Sequence, residues 1–398
     1  MKPGYKQTEV GVIPEEWEAN GLGRFWSVTD CKHVTAQFVP QGFPLASIRE
    51  VQSRFVDLTN AKQTTAHFYN LLIEGGRKPC PGDLILSRNA TVGEVAQVAE
   101  WHPSFAMGQD VCLLRKKSAD HSTEFLQSVF QSPVILNQLA NLMVGSTFKR
   151  ANVEQIRNFS VPMPSPPEQR AIATALSDVD GLLGGLDRLI AKKRDLKQAA
   201  MQQLLTGQTR LPGFHDEWEV KRLGDVAEIV MGQSPISSNY NTTGTGLPLI
   251  QGNADIYNRK TIKRFFTTQI TKQGKSGDIL MSVRAPVGEV ARAVFDVCLG
   301  RGVCAIRFDN DFMYHCLIYL EPTWAKHSKG STFDSVNSAD VKELEIQLPA
   351  TPAEQTAIAS VLTEMDAELA ALTQRREKTR ALKQGMMQEL LTGRTRLV

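Results

Sequence analysis

The sequence contains no long uninterrupted apolar run. None approaches the ~18 residues that a membrane-spanning helix needs, and no apolar stretch follows the first five residues as in a secretory signal. We therefore expect a cytoplasmic protein with no membrane partner. Its six cysteines form no Cys-x-x-Cys pair and are typical of reduced, packed thiols. The formal net charge is only +3, which excludes a dominant basic tail but allows a local basic patch.

Motifs for catalysis and metal binding are also missing. Gly274-Lys275-Ser276 lacks the earlier glycine of a phosphate-binding loop, because Gln269 stands five positions before Gly274. The stretch 165–168 (Ser-Pro-Pro-Glu) lacks the amide or acid and the aromatic residue of an adenine methyltransferase motif. The stretch 216–221 matches a nuclease Asp…Glu-x-Lys pattern that is short and common. The seven histidines do not cluster with cysteines at metal-ligand spacing. We predict no catalytic residue, metal or cofactor in this chain.

The chain does contain one long stretch that it uses twice. The first copy covers 165–211 and the second covers 351–397, and Glu354 follows Glu168 by 186 positions, as Leu382 follows Leu196. Each copy begins with Pro-x-Glu-Gln and ends with Leu-Leu-Thr-Gly-x-Thr-Arg-Leu. A long repeat in constant register is an architectural feature of the fold.

Each copy is predicted to form one long helix. Ser165 or Thr351 can cap the first turn, and Glu168 or Glu354 can bond back to the cap N–H as in a capping box. A proline follows each cap, at the first helical position where its missing N–H costs nothing. A glycine near the end of each copy is a natural helix stop. About 38 residues at ~1.5 Å each predict a rod of roughly 57 Å.

Apolar residues at alternating steps of four and three form a heptad seam along each helix. The predicted seam then changes phase near residues 196 and 382, as at a stutter. The predicted helix-pairing residues are Ile172, Leu176, Val179, Leu183, Leu186, Ile190, Leu196 and Leu204 in the first copy, and Ile358, Leu362, Met365, Leu369, Leu372, Leu382, Met386 and Leu390 in the second. We expect the helices to pair about a pseudo-twofold axis; the alternative is that each seam packs on its own globular domain.

The segments that precede the two helices also resemble each other, more loosely. The most similar stretches are 81–96 and 276–291, where a Gly-Asp turn, an apolar strand, a polar loop and a return strand predict a hairpin-like unit. Residues 13–18 correspond to 211–219, so the start of the chain resembles what should follow the second helix. We therefore predict a circular α+β arrangement whose ends lie close together. The expected domains are 1–164, 165–211, 212–350 and 351–398.

These repeated motifs, together with the Gly-Ser-Thr-Phe turns, resemble the specificity subunit of Type I restriction–modification enzymes over essentially the whole chain. The resemblance implies two mixed α/β target recognition domains, each reading one half of a bipartite, asymmetric site on double-stranded DNA. It also implies that the two helices pair as an antiparallel coiled coil, set the half-site spacing and dock two modification (methyltransferase) subunits. S-adenosylmethionine would lie in the modification subunits, and ATP and Mg in restriction subunits that can join them. The specificity subunit itself would be non-catalytic.

Side chains that can bind phosphates or base edges lie in loops of both globular segments. The predicted DNA-binding residues of the first segment are Arg49, Ser87, Arg88, Asn89, Thr147, Lys149 and Arg150. Those of the second are Gln251, Asn253, Arg259, Lys260, Lys263, Arg264, Ser282, Arg284, Lys329, Ser331 and Thr332. The alternative for any one of them is a solvated surface charge or a turn former.

Two other functions fit parts of the pattern. A coiled-coil adaptor would use the same helices and bind proteins with its globular ends. A self-contained methyltransferase or nuclease would need a cofactor motif that this sequence lacks. A system that only methylates, without a restriction subunit, is equally compatible with this chain.

Overall fold

The computed structural model describes residues 3–89, 92–143, 150–328 and 335–397. The chain forms two compact units, and each contains part of both long helices. Unit 1 comprises Met1–Asp187 and Arg375–Val398, and unit 2 comprises Arg188–Gln374. Each unit is described by itself below.

Unit 1 is a mixed α/β structure. Its strands are β1 (Tyr5–Thr8), β2 (Gly11–Pro14), β3 (Glu18–Gly21), β4 (Trp26–Asp30), β5 (Phe38–Val39), β6 (Phe43–Ala46), β7 (Gln63–Thr64), β8 (Leu84–Ser87), β9 (Val95–Gln97), β10 (Ala106–Met107), β11 (Val111–Lys116) and β12 (Ser160–Met163). Its helices are α1 (Leu22–Phe25), α2 (Ala66–Ile73), α3 (Thr123–Phe130), α4 (Pro133–Met143) and α5 (Val153–Arg157), with a 3-10 turn at Ile48–Val51. Its two four-stranded sheets have the strand orders β4-β11-β8-β9 and β10-β6-β7-β5.

Unit 2 repeats this plan. Its strands are β13 (Glu219–Arg222), β14 (Glu228–Met231), β15 (Tyr240–Asn241), β16 (Leu247–Ile250), β17 (Ile256–Tyr257), β18 (Lys260–Thr261), β19 (Phe265–Thr267), β20 (Gln273–Gly274), β21 (Ile279–Ser282), β22 (Val290–Arg292), β23 (Val297–Leu299), β24 (Val303–Arg307) and β25 (Glu345–Leu348). Its helices are α7 (Leu223–Val226), α8 (Phe312–Ser328) and α9 (Ser338–Lys342), with 3-10 turns at Ser237–Asn239 and Asn253–Asp255. A six-stranded sheet in the order β14-β24-β21-β22-β18-β17 lies beside a five-stranded sheet in the order β15-β19-β16-β23-β20.

The central strand of each unit explains why the repeated Gly-Asp segment is so apolar. In β8, Leu84 and Leu86 pack into the core shared with the helices, while Ile85 faces the core shared with the second sheet. In β21, Ile279 and Met281 face one core and Leu280 faces the other. Because successive side chains of a strand point to opposite faces, a strand between two cores is apolar at every position. The predicted strands in this repeat are therefore confirmed.

The two long helices are continuous. Helix α6 covers Pro166–Leu205 and helix α10 covers Pro352–Leu390. Within unit 1, Asp180 pairs with Lys383 at 2.7 Å and Asp187 pairs with Arg376 at 3.3 Å. The residue numbers of the partners therefore rise by seven along α6 while they fall by seven along α10. The two segments are antiparallel, as expected.

The same antiparallel pairing is found within unit 2. Lys193 lies 2.7 Å from Glu368, and Lys197 pairs with Asp366. The order of the partners again runs in opposite directions along the two helices. Ion pairs between the two helices are a usual device for setting the orientation of their pairing.

The predicted phase change of the seam is wrong. Leu196 and Leu382 are 46 % and 59 % exposed, so they do not take part in helix pairing. The heptad seam instead continues in register through Lys197 and Lys383, whose ammonium groups pair with carboxylates of the facing helix. Among the other predicted pairing residues, Ile172, Leu176, Leu186, Ile190, Leu204, Ile358, Leu362 and Leu390 are buried, and Val179, Leu183, Met365, Leu369, Leu372 and Met386 are partly buried.

The glutamate at each helix start has a different role from the predicted capping box. In the described part of the chain, neither Glu168 nor Glu354 bonds back to the cap N–H. Glu168 accepts two hydrogen bonds from Arg396, one of them 2.9 Å long, and a third of 3.0 Å from Trp17. In unit 2, Arg210 donates two hydrogen bonds of 2.6 and 2.7 Å to Glu354. The start of one repeat is therefore joined to the end of the other.

The glutamine beside each glutamate attaches the helix to its own globular domain. The Gln169 amide oxygen accepts the backbone N–H of Ser122 at 3.0 Å. The Gln355 amide oxygen accepts a hydrogen bond of 2.9 Å from the Asn310 side chain. The Pro-x-Glu-Gln motif thus positions each long helix through two adjacent side chains with different partners.

The predicted proximity of the two chain ends is confirmed by contacts within unit 1. The Tyr5 hydroxyl donates to the Gly393 carbonyl at 3.0 Å, and Arg396 lies 3.2 Å from Glu16. The first strands therefore continue from the end of the second repeat, as the circular arrangement requires. No helix in the described part of the chain has the length and apolar content needed to span a membrane.

Candidate nucleic-acid interface

Each unit presents its loops on a pair of short parallel strands. In unit 1, β10 pairs with β6 and places Ala106 beside Leu45. In unit 2, β23 pairs with β16 and places Cys298 beside Leu249. Because the strands and their register are equivalent, the loops that leave these strands are equivalent too.

The loop after the first strand of each pair has the same internal bond. The Ser47 N–H donates to the Glu50 carboxylate at 2.8 Å, and the Gln251 N–H donates to the Asp255 carboxylate at 2.8 Å. This bond closes each loop around a 3-10 turn, from which Arg49 in unit 1 and Asn253 in unit 2 are exposed, whereas Val51 is buried. The exposed candidates on these loops are Arg49, Gln251 and Asn253.

The two serines predicted to contact DNA are buried at the base of a second loop. The Ser87 hydroxyl donates to the Asn89 carbonyl at 3.1 Å, and the Ser282 hydroxyl donates to the Pro286 carbonyl at 2.6 Å. Both side chains are at most 1 % exposed. We correct their role accordingly: hydroxyls committed to loop carbonyls inside the protein hold the loop and do not reach a groove.

Arg88 is likewise buried, at 2 % exposure, and its guanidinium lies 2.6 Å from the Asp30 carboxylate. Its role as a direct DNA contact is corrected to that of a buried ion-pair partner. Asp30, Cys31 and His33 bring possible metal ligands within 4.8 Å of one another, a cluster that the sequence did not predict. However, burial and then Asp30 raise the pKa of the Cys31 thiol, which disfavours the thiolate that binds metals. The neighbouring Arg88 cation also opposes a second positive charge, so we assign no metal here.

The basic cluster of unit 2 separates into two kinds of residue. Arg259 makes bonds of 2.6 and 2.8 Å to Glu321, and Arg264 bonds to the Asp255 carboxylate at 3.3 Å. Hydrogen bonding to the Glu321 carboxylate, which accepts from the Arg259 guanidinium, raises the pKa of Arg259, and burial opposes this shift. Lys260 and Lys263 are exposed and make no ion pair with the described residues. The two arginines therefore shape the loop, while the two lysines remain available to an anion.

The remaining predicted residues lie on loops or outside the described chain. Asn89 and Arg150 face each other across an isolated antiparallel bridge, and the Arg150 guanidinium is 3.5 Å from Asp110. Arg284 is exposed and bridges Ser335 through its backbone. Thr147, Lys149, Lys329, Ser331 and Thr332 lie outside the described residues.

The sequence reasoning missed two exposed residues on equivalent turns. Gln109 lies between β10 and β11, and Arg301 lies between β23 and β24. Both follow a glycine and stand two positions before a buried valine, Val111 or Val303. Aligning the two strands on this valine would have found them in the sequence.

This arrangement matches a known family. The model for the type I restriction modification DNA specificity domain matches residues 63–190 and again residues 215–380. The chain belongs to this family. As a specificity subunit, it recognises DNA and is not catalytic, so the adaptor and the self-contained enzyme are not favoured.

Individual relatives agree over nearly full length. The chain is 30 % identical to the putative type I restriction enzyme MjaX specificity subunit of Methanocaldococcus jannaschii, over 99 % of this chain and 97 % of that protein. A structure describing complex assembly and conformational transition of the type I R-M system has 26 % identity and a TM-score of 0.64, covering 96 % of this chain and 99 % of that one. The HsdS subunit of Thermoanaerobacter tengcongensis has 25 % identity and a TM-score of 0.50, covering 96 % and 98 %.

Proposed function

We propose that each globular domain of this specificity subunit reads one half of a bipartite site on double-stranded DNA. The observation that carries this is the repeated loop frame: equivalent parallel strands and loop bonds present different exposed side chains in the two units. One frame with two sets of readers is suited to an asymmetric site. The domains would be 1–164 and 212–350, and the helices between and after them would be the spacers.

The exposed residues of the loops are the proposed DNA contacts. They are Arg49 and Arg150 in unit 1, together with the half-buried Asn89, and Gln251, Asn253, Lys260, Lys263 and Arg284 in unit 2. Lysines and arginines neutralise phosphates and release counterions, whereas arginine and amide side chains also read base edges in the major groove. Thr147, Lys149, Lys329, Ser331 and Thr332, which lie outside the described residues, belong to the same proposal.

The paired helices would set the distance between the half-sites and dock two modification subunits. Those subunits would supply S-adenosylmethionine, and restriction subunits, where present, would supply the ATP and Mg sites. We place the assembled complex in the cytoplasm. Ion pairs across the helix seam, such as Asp180 with Lys383, support a spacer that keeps one register.

Methylome sequencing tests the proposal. The chain would be expressed with its modification subunit in a host that lacks such a system. We expect methyladenine in one bipartite motif, with Arg49→Ala affecting only one half and Arg284→Ala only the other. Removing a side chain that contacts a base would relax the motif at one position. Removing one that contacts a phosphate would lower methylation without changing the motif. Gln131→Ala, an exposed change at the end of α3, is the control.

The result that would contradict the proposal is equally clear. If the complex assembles, as shown by co-purification, but methylates no new motif, the chain is an adaptor. If Arg49→Ala and Arg284→Ala alter the same half-site, the assignment of one domain to each half is wrong.

A further inference from the structure

The turns that carry Gln109 and Arg301 occupy the same place in their units. The N–H of Gly108 donates to the Ala46 carbonyl at 2.8 Å, and the N–H of Gly300 donates to the Ile250 carbonyl at 2.8 Å. Each bond joins the turn to the last residue of the paired parallel strand. Gln109 and Arg301 are the next residues along the chain, and both are exposed.

Each turn is pressed against the neighbouring loop. A side-chain carbon on Gly108 would lie 2.0 Å from the Ser47 hydroxyl oxygen, and one on Gly300 would lie 3.0 Å from the Gln251 Cα. Both distances are too short for a substituted residue without a shift. The close approach therefore brings Gln109 next to the loop of Arg49, and Arg301 next to the loop of Asn253.

Both side chains are available for binding. Gln109 makes one weak hydrogen bond, 3.4 Å from its amide nitrogen to the Thr35 hydroxyl. The backbone N–H of Arg301 donates to Ser234, but its guanidinium pairs with no carboxylate among the described residues. This differs from Arg259 and Arg264, which are bonded to carboxylates. A guanidinium at a turn tip that pairs with no described carboxylate keeps its paired donors for a ligand.

In unit 1 the turn also borders an open cleft. The cleft has a volume of about 560 Å³, and its polar lining comprises Thr35, Ser47, Arg49, Glu50, Asn60, Lys62, Gln109 and Asp110. Each unit thus combines one guanidinium with a carboxamide: Arg49 with Gln109, and Arg301 with Asn253. In unit 1 the guanidinium lies on the loop and the carboxamide on the turn. In unit 2 the carboxamide lies on the loop and the guanidinium on the turn.

We propose that Gln109 and Arg301 are equivalent specificity-determining residues, Gln109 for an adenine in one half-site and Arg301 for a guanine in the other. Glutamine pairs with the N6 and N7 edge of adenine, and arginine pairs with the O6 and N7 edge of guanine. The inference rests on the proposed function, since it needs each unit to read one half-site. It adds which base each turn selects.

Reciprocal substitutions test it in the complex with the modification subunits. Motifs are determined by methylome sequencing, and the relative affinity for duplexes that differ at one base pair is measured by competition. Gln109→Arg should change one adenine of one half-site to guanine, and Arg301→Gln should change one guanine of the other to adenine. The discrimination between the two bases at each position should shift by roughly 5- to 150-fold.

A more conservative pair guards against loss of folding or assembly. Gln109→Ala and Arg301→Lys should make one position degenerate, because alanine cannot hydrogen-bond and lysine lacks the planar fork. The controls are Gln131→Arg and Arg222→Gln, exposed residues outside these turns and the loops beside them, which should leave the motif unchanged.

The outcomes separate this inference from the proposed function. If the unsubstituted complex methylates no bipartite motif, the proposed function fails. If it does, and all four turn variants keep the same motif and discrimination, the turns do not read bases and this inference is overturned. A uniform loss of affinity with an unchanged motif would also overturn it, since that result indicates phosphate binding.

Discussion

Arg396 and Glu168 are joined by two hydrogen bonds although 228 positions separate them. Arg210 and Glu354, which occupy the same positions of the other repeat, are joined in the same way across 144 positions. In each case the arginine follows the end of one long helix and the glutamate opens the other. These two ion pairs close the circular repeat, and both carboxylates are buried.

Removing the arginine should destabilise the unit that contains it. Arg396→Ala leaves the buried Glu168 carboxylate with the Trp17 N–H as its remaining hydrogen-bond donor among the described side chains. We expect a loss of about 2 kcal/mol in the free energy of unfolding, below the value for a fully buried pair because the Arg396 side chain is partly exposed. Arg210→Ala should destabilise unit 2 in the same way. Calorimetry measures the unfolding of both variants against the unsubstituted chain.

Arg394→Ala is the matched control for this prediction. Arg394 lies two residues before Arg396, and its guanidinium is exposed and 3.6 Å from Glu389. Its removal should leave the thermal transition unchanged. Equal destabilisation by Arg394→Ala and Arg396→Ala would show that the buried carboxylate is not the reason.

Two leucines of α10 should differ sharply in their effect on stability. Leu390→Ala removes a buried side chain of unit 1 and should cost about 2–5 kcal/mol. Leu382→Ala, one heptad and one residue earlier, removes an exposed side chain and should change stability by less than about 0.5 kcal/mol. Chemical denaturation of both variants decides whether the seam runs through Lys383, as found here, or through Leu382.

Lengthening both helices should change the spacer of the DNA site and nothing else. One heptad added after Arg188 and one added after Gln374 would extend each helix by about 10 Å, or roughly three base pairs. The methylome should show the same two half-sites separated by a longer spacer. A heptad in only one helix cannot be matched by its antiparallel partner and should abolish methylation. Altered half-site bases would argue against a purely geometric role of the helices.

Unit 2 should lose stability in mild acid because of a buried histidine. Burial lowers the pKa of His315 to about 4, and its ring nitrogens lie 3.0 Å from the Thr363 hydroxyl and 3.9 Å from Asp366. The unfolded chain therefore binds a proton between pH 6.5 and 4 that the folded unit does not bind. This contribution to stability is complete above pH 6.5 and is lost as the pH falls towards 4, by roughly 2 kcal/mol between pH 7 and 5.

His315→Gln isolates this contribution from the carboxylates that titrate nearby. Glutamine can still hydrogen-bond to Thr363 but does not titrate between pH 4 and 7. The slope of unfolding free energy against pH should be shallower for the variant than for the unsubstituted chain. Identical slopes between pH 5 and 7 would show that His315 is not the titrating group.

The particular residues show where sequence reasoning succeeds and where it fails. The repeated Gly-Asp strands, the long helices and the proximity of the chain ends follow from local patterns and constant spacing. The pairing role predicted for Leu196 was wrong because the pattern favoured an apolar residue over the neighbouring charged Lys197. The DNA contact predicted for Arg88 was wrong because a charged residue in a loop was expected to be exposed, whereas Arg88 is buried in an ion pair with Asp30. The ion-pair partner of a buried charge lies far along the chain, and the periodicity of a sequence does not identify such a partner.

The doubled architecture follows from the sequence alone, because a repeat in register must fold into repeated structure and its motifs identify the family. Which side chains face solvent depends on the tertiary structure. In the folded protein, Glu168 pairs with Arg396, Ser87 is buried, and Gln109 and Arg301 are exposed on equivalent turns. The physical reason is that burial and ion pairing depend on three-dimensional proximity. Helix and strand patterns depend on neighbours in the chain.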